Sequence, residues 1–230
     1  MNVCAIIPAG GQGTRMGGTV PKQFQALRGK PVLHYTLKTF QESGLIDSLV
    51  LVVPEKELAN ARTDWLGSPP LVKQVVMGGE KRQDSVFNGY KALPKDTDIV
   101  LVHDGVRPFL SKKMIQETID AAEKFGASIT AIPVNDTIKQ VDESGKVQRT
   151  VEREGLWRVQ TPQAFRYDLL GQAFQNAQKD SFYGTDEGAL IEYMGQPVRV
   201  VDGSEWNLKI TRPEDLVLGE SIVTKLFPDI

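Results

Sequence analysis

The chain has 230 residues, 27 basic against 29 acidic side chains, a formal net charge of −2 and no block of five or six like charges. That balance excludes the basic stripe of a nucleic-acid surface, and the length suits one large domain or two small ones with a proper core. No apolar run approaches the roughly 20 residues of a membrane span, and MNVCAIIPAGG lacks the charged and long apolar parts of a secretory signal. A soluble, cytoplasmic protein is therefore expected, with neither nucleic acid nor membrane as partner.

The first element, NVCAIIP, is short, apolar and ended by Pro-Ala-Gly-Gly, so it reads as a buried strand. It holds the only cysteine, Cys4, a small buried hydrophobe whose solitude rules out an intramolecular disulfide and fits a reducing compartment. PVLHYTLKTFQESG reads as a helix with Pro31 at its first position, Gly44 as its stop, and Val32, Leu33, Leu37 and Phe40 at helical spacing. SLVLVVP is a second strand, followed by a polar helical stretch from Glu55 to about Leu66. A third strand, LVKQVVM, leads through Gly78 and Gly79 into the helix RQDSVFNGYKAL. DIVLVHD is a fourth strand, SKKMIQETIDAAEKFG a helix with Ser111 as N-cap and Gly126 as C-cap, and ASITAIP a fifth strand. Residues 134–160 alternate like strands around an Asp-Glu-Ser-Gly turn at 142–145, which predicts a hairpin projecting as an arm. Helices follow near Tyr167–Gln178 and at Asp186–Met194, capped by Thr185. The strand PVRVV and a last helix starting at Pro213 complete the chain. Apolar strands alternating with amphipathic helices predict an α/β fold, a doubly wound, mainly parallel sheet covered on both faces. The reading is a single domain over 1–230 with an arm at about 134–158.

The segment PAGGQGTRMGGTVPKQF, residues 8–24, sets five glycines between the first strand and a cationic tail. A dinucleotide fingerprint fails here, because Met16 stands where the third glycine belongs and no acid lies near position 33. The phosphate-cradling loop of P-loop NTPases fails too, since no glycine is followed by Lys-Ser or Lys-Thr. The loop instead offers backbone amides to an anion and ends in two spaced cations, Arg15 and Lys22. Taken alone it is also readable as a flexible turn. A second strand ends in His103-Asp104-Gly105, and Asp104 at a carboxyl edge suits Mg²⁺, which takes one or two carboxylates plus substrate phosphates. A helix cap is an equal reading of that aspartate by itself. GGEKRQDS, residues 78–85, follows another strand and puts Arg82 and Ser85 on one face beside two glycines. Amides, cations and one carboxylate converging on one sheet edge suit a nucleoside triphosphate.

AIIPAGGQGTRMGG…PKQF, GGEKRQDS, HDGVRPF, NDTIK, LWRVQTPQAF, TDEGALIEYMG and NLKITRPEDL occur in this order. Together they resemble, essentially from end to end, the bacterial and plastid 2-C-methyl-D-erythritol 4-phosphate cytidylyltransferases of non-mevalonate isoprenoid biosynthesis. The resemblance implies a Rossmann-like fold of the nucleotide-diphospho-sugar transferase type. Ala9, Gly10 and Gly11 would lie against the nucleotide, and Gly79, Glu80, Arg82 and Ser85 around cytosine and ribose. Arg15 and Lys22 would be catalytic cations on the triphosphate, Asp104 the carboxylate for Mg²⁺ or another divalent cation, and Lys209, on an NLKIT strand, a further cation on the phosphates. Thr137 and Arg153, on the arm, would bind methylerythritol phosphate in the other subunit of a homodimer with exchanged arms. In one place the sequence departs from the family pattern. Trp206 stands where an acidic second metal ligand often precedes the Asn of N-x-K, and Glu205 lies one position earlier, on the opposite face if the segment is a strand. That weakens a metal role for Glu205 and leaves Asn207 or water to take the place.

The implied reaction, attack by a phosphate oxygen on the α-phosphorus of CTP with loss of pyrophosphate, uses a nucleophile already anionic at neutral pH. Two histidines and one cysteine are then no deficiency, because alignment and charge stabilisation are what the chemistry requires. His34 reads as structural, His103 as facing away from the edge, and Arg107 as the partner of a loop carboxylate. Asp186 and Glu187 read as the acidic opening turn of a helix. The closest alternative is a ribitol-5-phosphate cytidylyltransferase making CDP-ribitol for wall teichoic acid; a silent CTP-binding scaffold is disfavoured by the joint presence of Arg15, Lys22, Asp104 and Lys209.

Overall fold

The structure, a computed structural model, describes residues 1–10 and 21–227. Strand β1 (Val3–Pro8) is buried along nearly its whole length. After it, Ala26–Leu27 (β2) and Lys30–Pro31 (β3) form a small antiparallel ribbon. Helix α1 (Val32–Ser43) takes Pro31 as its N-cap and ends at Gly44, whose φ of 65° lies in the left-handed region that glycine enters without steric cost. The chain then runs through β4 (Ser48–Val53), α2 (Leu58–Trp65), β5 (Val72–Met77), α3 (Arg82–Lys91), β6 (Ile99–Val102), α4 (Lys112–Phe125) and β7 (Ala127–Pro133). The single helix expected over Glu55–Leu66 divides into a 3-10 turn at Glu55–Glu57 and α2. Ser111 caps α4 by accepting from the Met114 amide, as its sequence signature predicts.

The segment expected to be one hairpin has two structural fates. Strands β8 (Ile138–Val141) and β9 (Val147–Val151) pair antiparallel with each other alone. Their turn is fixed by Asp142 Oδ1, which accepts from the Ser144 amide, the Ser144 hydroxyl and the Lys146 amide. Trp157–Arg166, however, is a ten-residue strand, β10, inserted antiparallel between β6 and β7 in the main sheet. Its buried stretch contains Gln160, Thr161, Pro162 and Gln163, and buried polar residues around a proline hide a central strand from an apolar pattern.

Helices α5 (Tyr167–Lys179) and α6 (Glu187–Tyr193), strand β11 (Arg199–Asp202) and α7 (Pro213–Leu226) follow. The cap of α6 is Asp186, not Thr185: Asp186 Oδ1 accepts from the Ala189 amide at 2.9 Å, since a carboxylate there also meets the positive end of the helix. At α7, Asp215 Oδ2 accepts from the Thr211 amide, the Thr211 hydroxyl and the Arg212 amide at 2.7–2.9 Å.

The seven-stranded sheet has the order β11-β7-β10-β6-β1-β4-β5, and β10 is its only antiparallel member among the described residues. Alternation along β1 supplies both faces: Val3, Ala5 and Ile7 pack with α1 and α4, while Cys4 and Ile6 pack with α3, α5 and α6. A third cluster, including Leu27, Tyr35, Phe109, Ile210 and Val223, seats α7. From β1 the chain moves to β4 and β5 on one side and then to β6 on the other, so a crevice opens beyond the carboxyl ends of the strands at that reversal.

Candidate active site

A cleft of about 660 Å³ occupies that crevice, lined by Pro8, Ala9 and Gly10 after β1, Pro54 after β4, Gly78–Arg82 after β5, Asp104 after β6, and by Lys22, Ser85 and Lys209. The backbone is tied to the sheet: the Ala9 amide donates to Val52 O, the Gly78 amide to Val53 O and the Gly105 amide to Pro8 O. Ser85 Oγ accepts from the Gly79 amide at 3.0 Å and donates to Lys81 O at 3.1 Å, fixing the loop to the first turn of α3. A Cβ on Gly79 would overlap Asp84, so packing alone demands that glycine. Gly10 differs: a Cβ there would meet nothing in the protein closer than Ser85 Oγ at 3.7 Å, so its bareness leaves room for a ligand to approach the backbone.

Asp104, at the end of β6 and 7% exposed, organises the charges. Lys209 Nζ lies 2.7 Å from its Oδ2, Arg82 Nε 3.3 Å from Oδ1, and Arg107 Nε 3.7 Å from Oδ2. Burial alone would push this carboxyl up, but Arg82 and Lys209 outweigh it and hold it far below the usual carboxylate range. Arg82 also gives Nη1 to both oxygens of Glu187 at 2.9 Å. Burial disfavours its charge, and the two carboxylates more than restore it, keeping the guanidinium firmly protonated. Three cations thus face two carboxylates, an excess of one positive charge at a site suited to an anion.

The support beneath Asp104 is polar and buried. Its backbone amide donates to Thr161 Oγ1 at 3.1 Å, and the same hydroxyl meets His103 Nδ1 at 3.1 Å. His103 Nε2 lies 3.0 Å from Arg107 O, and burial drives this imidazole down to about 4, so it is neutral. Asn207 Nδ2 donates to Gln160 Oε1 and Thr161 O, Arg107 Nη1 to Asn207 O, and the Ile210 amide to Val106 O. Lys209 is therefore placed by a loop and a turn at Glu205–Trp206, not by the strand the sequence reading assumed. With a turn there, strand alternation does not decide the direction of Glu205.

Of the expected site residues, Ala9, Gly10, Lys22, Gly79, Glu80, Arg82, Ser85, Asp104 and Lys209 all line this one cleft; Gly11 and Arg15 fall outside the described residues. Thr137 and Arg153 do not line it. Both are exposed, and Arg153 Nη1 donates to Asn135 O. Glu205 is exposed, bound through both oxygens to Arg158 Nη2, and lines a second, polar cleft of about 460 Å³ with Arg107, Gln160 and Arg212. Lys209 borders both clefts.

Sequence reasoning missed Thr161 and above all Glu187, which is 1% exposed beneath Arg82 rather than an outward acid of an opening turn; Asn207, expected as a stand-in metal ligand, instead ties its amide to Gln160 and Thr161. The available signal was Gly188, a poor helix former in the first turn of α6, where a Cβ would come 3.0 Å from Ile129 Cγ2. Such a glycine marks a helix start pressed against the sheet. Among the described residues, no group of three or more His, Cys, Asp or Glu can cage a metal. One buried carboxylate at an anion-binding edge fits Mg²⁺, which is commonly held by one or two carboxylates together with substrate phosphates and water.

A doubly wound sheet with glycine loops, cations and one buried carboxylate at its reversal point defines a Rossmann-like nucleotidyltransferase. The family model for 2-C-methyl-D-erythritol 4-phosphate cytidylyltransferase matches residues 3–225, and the chain belongs to that family. It is 44% identical over 226 residues to the 2-C-methyl-D-erythritol 4-phosphate cytidylyltransferase of Syntrophus aciditrophicus, covering 97% of this chain and 96% of that one. The same enzyme of Pelotomaculum thermopropionicum is 45% identical over 224 residues, covering 96% and 94%. The crystal structure of the 4-diphosphocytidyl-2C-methyl-D-erythritol synthase of Anaerococcus prevotii superposes with a TM-score of 0.84 at 33% identity, covering 97% of this chain and 98% of the other.

Proposed function

We propose that the chain transfers cytidylate from CTP to 2-C-methyl-D-erythritol 4-phosphate, releasing pyrophosphate and 4-diphosphocytidyl-2-C-methyl-D-erythritol. The observation that carries the reading is the pair of clefts with Lys209 on the border of both, one for the nucleotide and one for the anionic acceptor. CTP lies along Ala9, Gly10 and, with them, Gly11, its cytidine against Gly79, Glu80, Arg82 and Ser85. Arg15, Lys22 and Lys209 neutralise the phosphates. The acceptor phosphate is already a nucleophile, so no residue has to remove a proton; the cations hold two mutually repelling anions in line and stabilise the charge that develops on the α-phosphoryl oxygens. Asp104 would hold Mg²⁺, which supplies Lewis-acid polarisation of phosphate oxygens when bound.

The reading extends to a single domain over 1–230 acting as a homodimer in the cytoplasm, where the buried, unpaired Cys4 fits a reducing milieu. The arm at about 134–158 carries Thr137 and Arg153 into the partner's acceptor cleft. Its exposed Val141 and Val147, 52% and 54% accessible, support a surface that meets another chain. The test is pyrophosphate release with CTP and Mg²⁺, comparing methylerythritol 4-phosphate with ribitol 5-phosphate. A preference for the former of at least about a hundredfold in kcat/KM is expected, the scale on which a site that bonds substrate hydroxyls rejects a poor match. Preference for ribitol phosphate would overturn the acceptor assignment.

A further inference from the structure

Helix α3 starts at the cleft, and one ion pair joins its first residue, Arg82, to Glu187, the first residue of α6. Both Glu187 oxygens accept from Arg82 Nη1, and Arg82 Nε donates to Asp104 Oδ1. Two of the three guanidinium nitrogens are thereby taken by carboxylates. Among the described residues the third, Nη2, has no hydrogen-bond partner, and Arg82 lines the cleft.

Everything around Glu187 fixes it in place. Asp186 caps the helix, Gln163 Nε2 donates to the other oxygen of Asp186 at 2.8 Å, and the Gly188 amide donates to Gln163 Oε1 at 3.2 Å. Next to Arg82, Gln83 donates to Phe182 O and accepts from the Gly184 amide, docking the approach to α6 onto α3. A charge buried at 1% exposure is costly, and stability alone is a weak reason to keep one. A guanidinium beside a single carboxylate prefers the bidentate fork. Without Glu187, Arg82 is free to turn both ends of its fork onto Asp104, which Lys209 already holds at 2.7 Å.

We propose that Glu187 is a positioning residue for nucleotide binding: by taking Arg82 Nη1 it keeps the guanidinium from closing on Asp104 and aims Nη2 at an acceptor atom of the nucleotide. The inference rests on the CTP reading above. It predicts that Glu187 acts on CTP only through Arg82, which a double-mutant cycle isolates.

The experiment measures CTP affinity by calorimetry with Mg²⁺ and no acceptor, for the parent, Glu187→Gln, Arg82→Ala and the double variant. Glu187→Gln should weaken CTP binding at least about tenfold with Arg82 present and less than about twofold in the Arg82→Ala background, a coupling on the scale expected of contacting residues. Glu187→Asp keeps the charge but withdraws it by one methylene; it should weaken CTP similarly, and it carries the cycle if Glu187→Gln does not fold. In turnover, the KM for CTP should rise while the KM for the acceptor stays. Unchanged CTP affinity in Glu187→Asp or Glu187→Gln, or an equal loss with and without Arg82, would overturn the inference while leaving the CTP reading intact. A parent that binds no CTP overturns that reading and this inference with it.

Discussion

Around Asp104 the chain gathers bonds from distant segments, whereas the β8–β9 hairpin bonds within itself. Asp104 has three cations, and the Thr161 hydroxyl at its amide, drawn from four segments of the fold. The hairpin's polar side chains bond across its own two strands, Lys139 to Thr150 and Arg149 to Gln140, and its strands join no other sheet. A buried cluster of that kind is preorganised: its charges are already oriented before any ligand arrives, so little is lost in reorganising them during reaction. The hairpin has the opposite character, a shape set by local turn chemistry whose outer face is settled by what it meets.

The largest effect should come at the organised end. Lys22→Ala is expected to lower turnover at least about a hundredfold, near 2.7 kcal/mol, the scale for removing one electrostatic donor from a preorganised site. A tenfold or smaller loss would sink its catalytic role. On the proposed arm exchange, Arg153→Ala should also be inactive, through the partner's site. Mixing the two inactive variants should restore about a quarter of parental activity, since about half the dimers are mixed and one of their two sites is whole. Absence of recovery, with subunit exchange demonstrated, would remove the arm from the site.

Smaller effects sharpen the contrast through stability. His103 is lowered by burial to about 4 from an ordinary 6.5, and it faces Arg107 O, the Thr161 hydroxyl, the ring of Phe40, and the charges of Asp104 and Arg107. A depressed folded-state value means that the unfolded chain takes the proton first, so stability is present above pH 6.5 and is lost as pH falls toward 4. Between pH 7 and pH 5 the loss should be about 2 kcal/mol, read by denaturant unfolding at both values. An equal slope in His103→Gln would assign it elsewhere. Asp215→Ala strips three hydrogen bonds from the entry to α7 and should cost about 1 kcal/mol, as helix caps do.

What the sequence made legible follows the same division. The sheet, its two covered faces and most cleft residues were readable because apolar runs, glycine turns and a carboxylate at a strand end each have a local physical signature. Strand β10 was not, because Gln160, Thr161 and Gln163 are buried yet polar, and their partners, Ser204, His103 and Asp186, come from distant segments. The partner of Glu187 was unreadable for the same reason. Gly188 marks its helix start as pressed on the sheet, but only the fold brings Arg82, 105 residues away in sequence, over it. Long-range polar pairing leaves no periodic trace, and here it supplies the base of the site.

The smallest effect probes the hairpin itself. Val141 and Val147 are cross-strand partners, both more than half exposed, and a pair of that kind contributes on the order of 0.2–1 kcal/mol to its own ribbon. Val147→Ser should therefore change the unfolding free energy of the isolated subunit by no more than about 0.5 kcal/mol, the range of ordinary surface changes. On the proposed arm exchange the same change strips apolar area from a contact between chains, so the dissociation constant for self-association should rise while the monomer's stability holds. Sedimentation at several concentrations separates the two quantities. A monomer destabilised by well over 1 kcal/mol would show that the hairpin packs on its own chain, and the contrast with the Asp104 cluster would collapse.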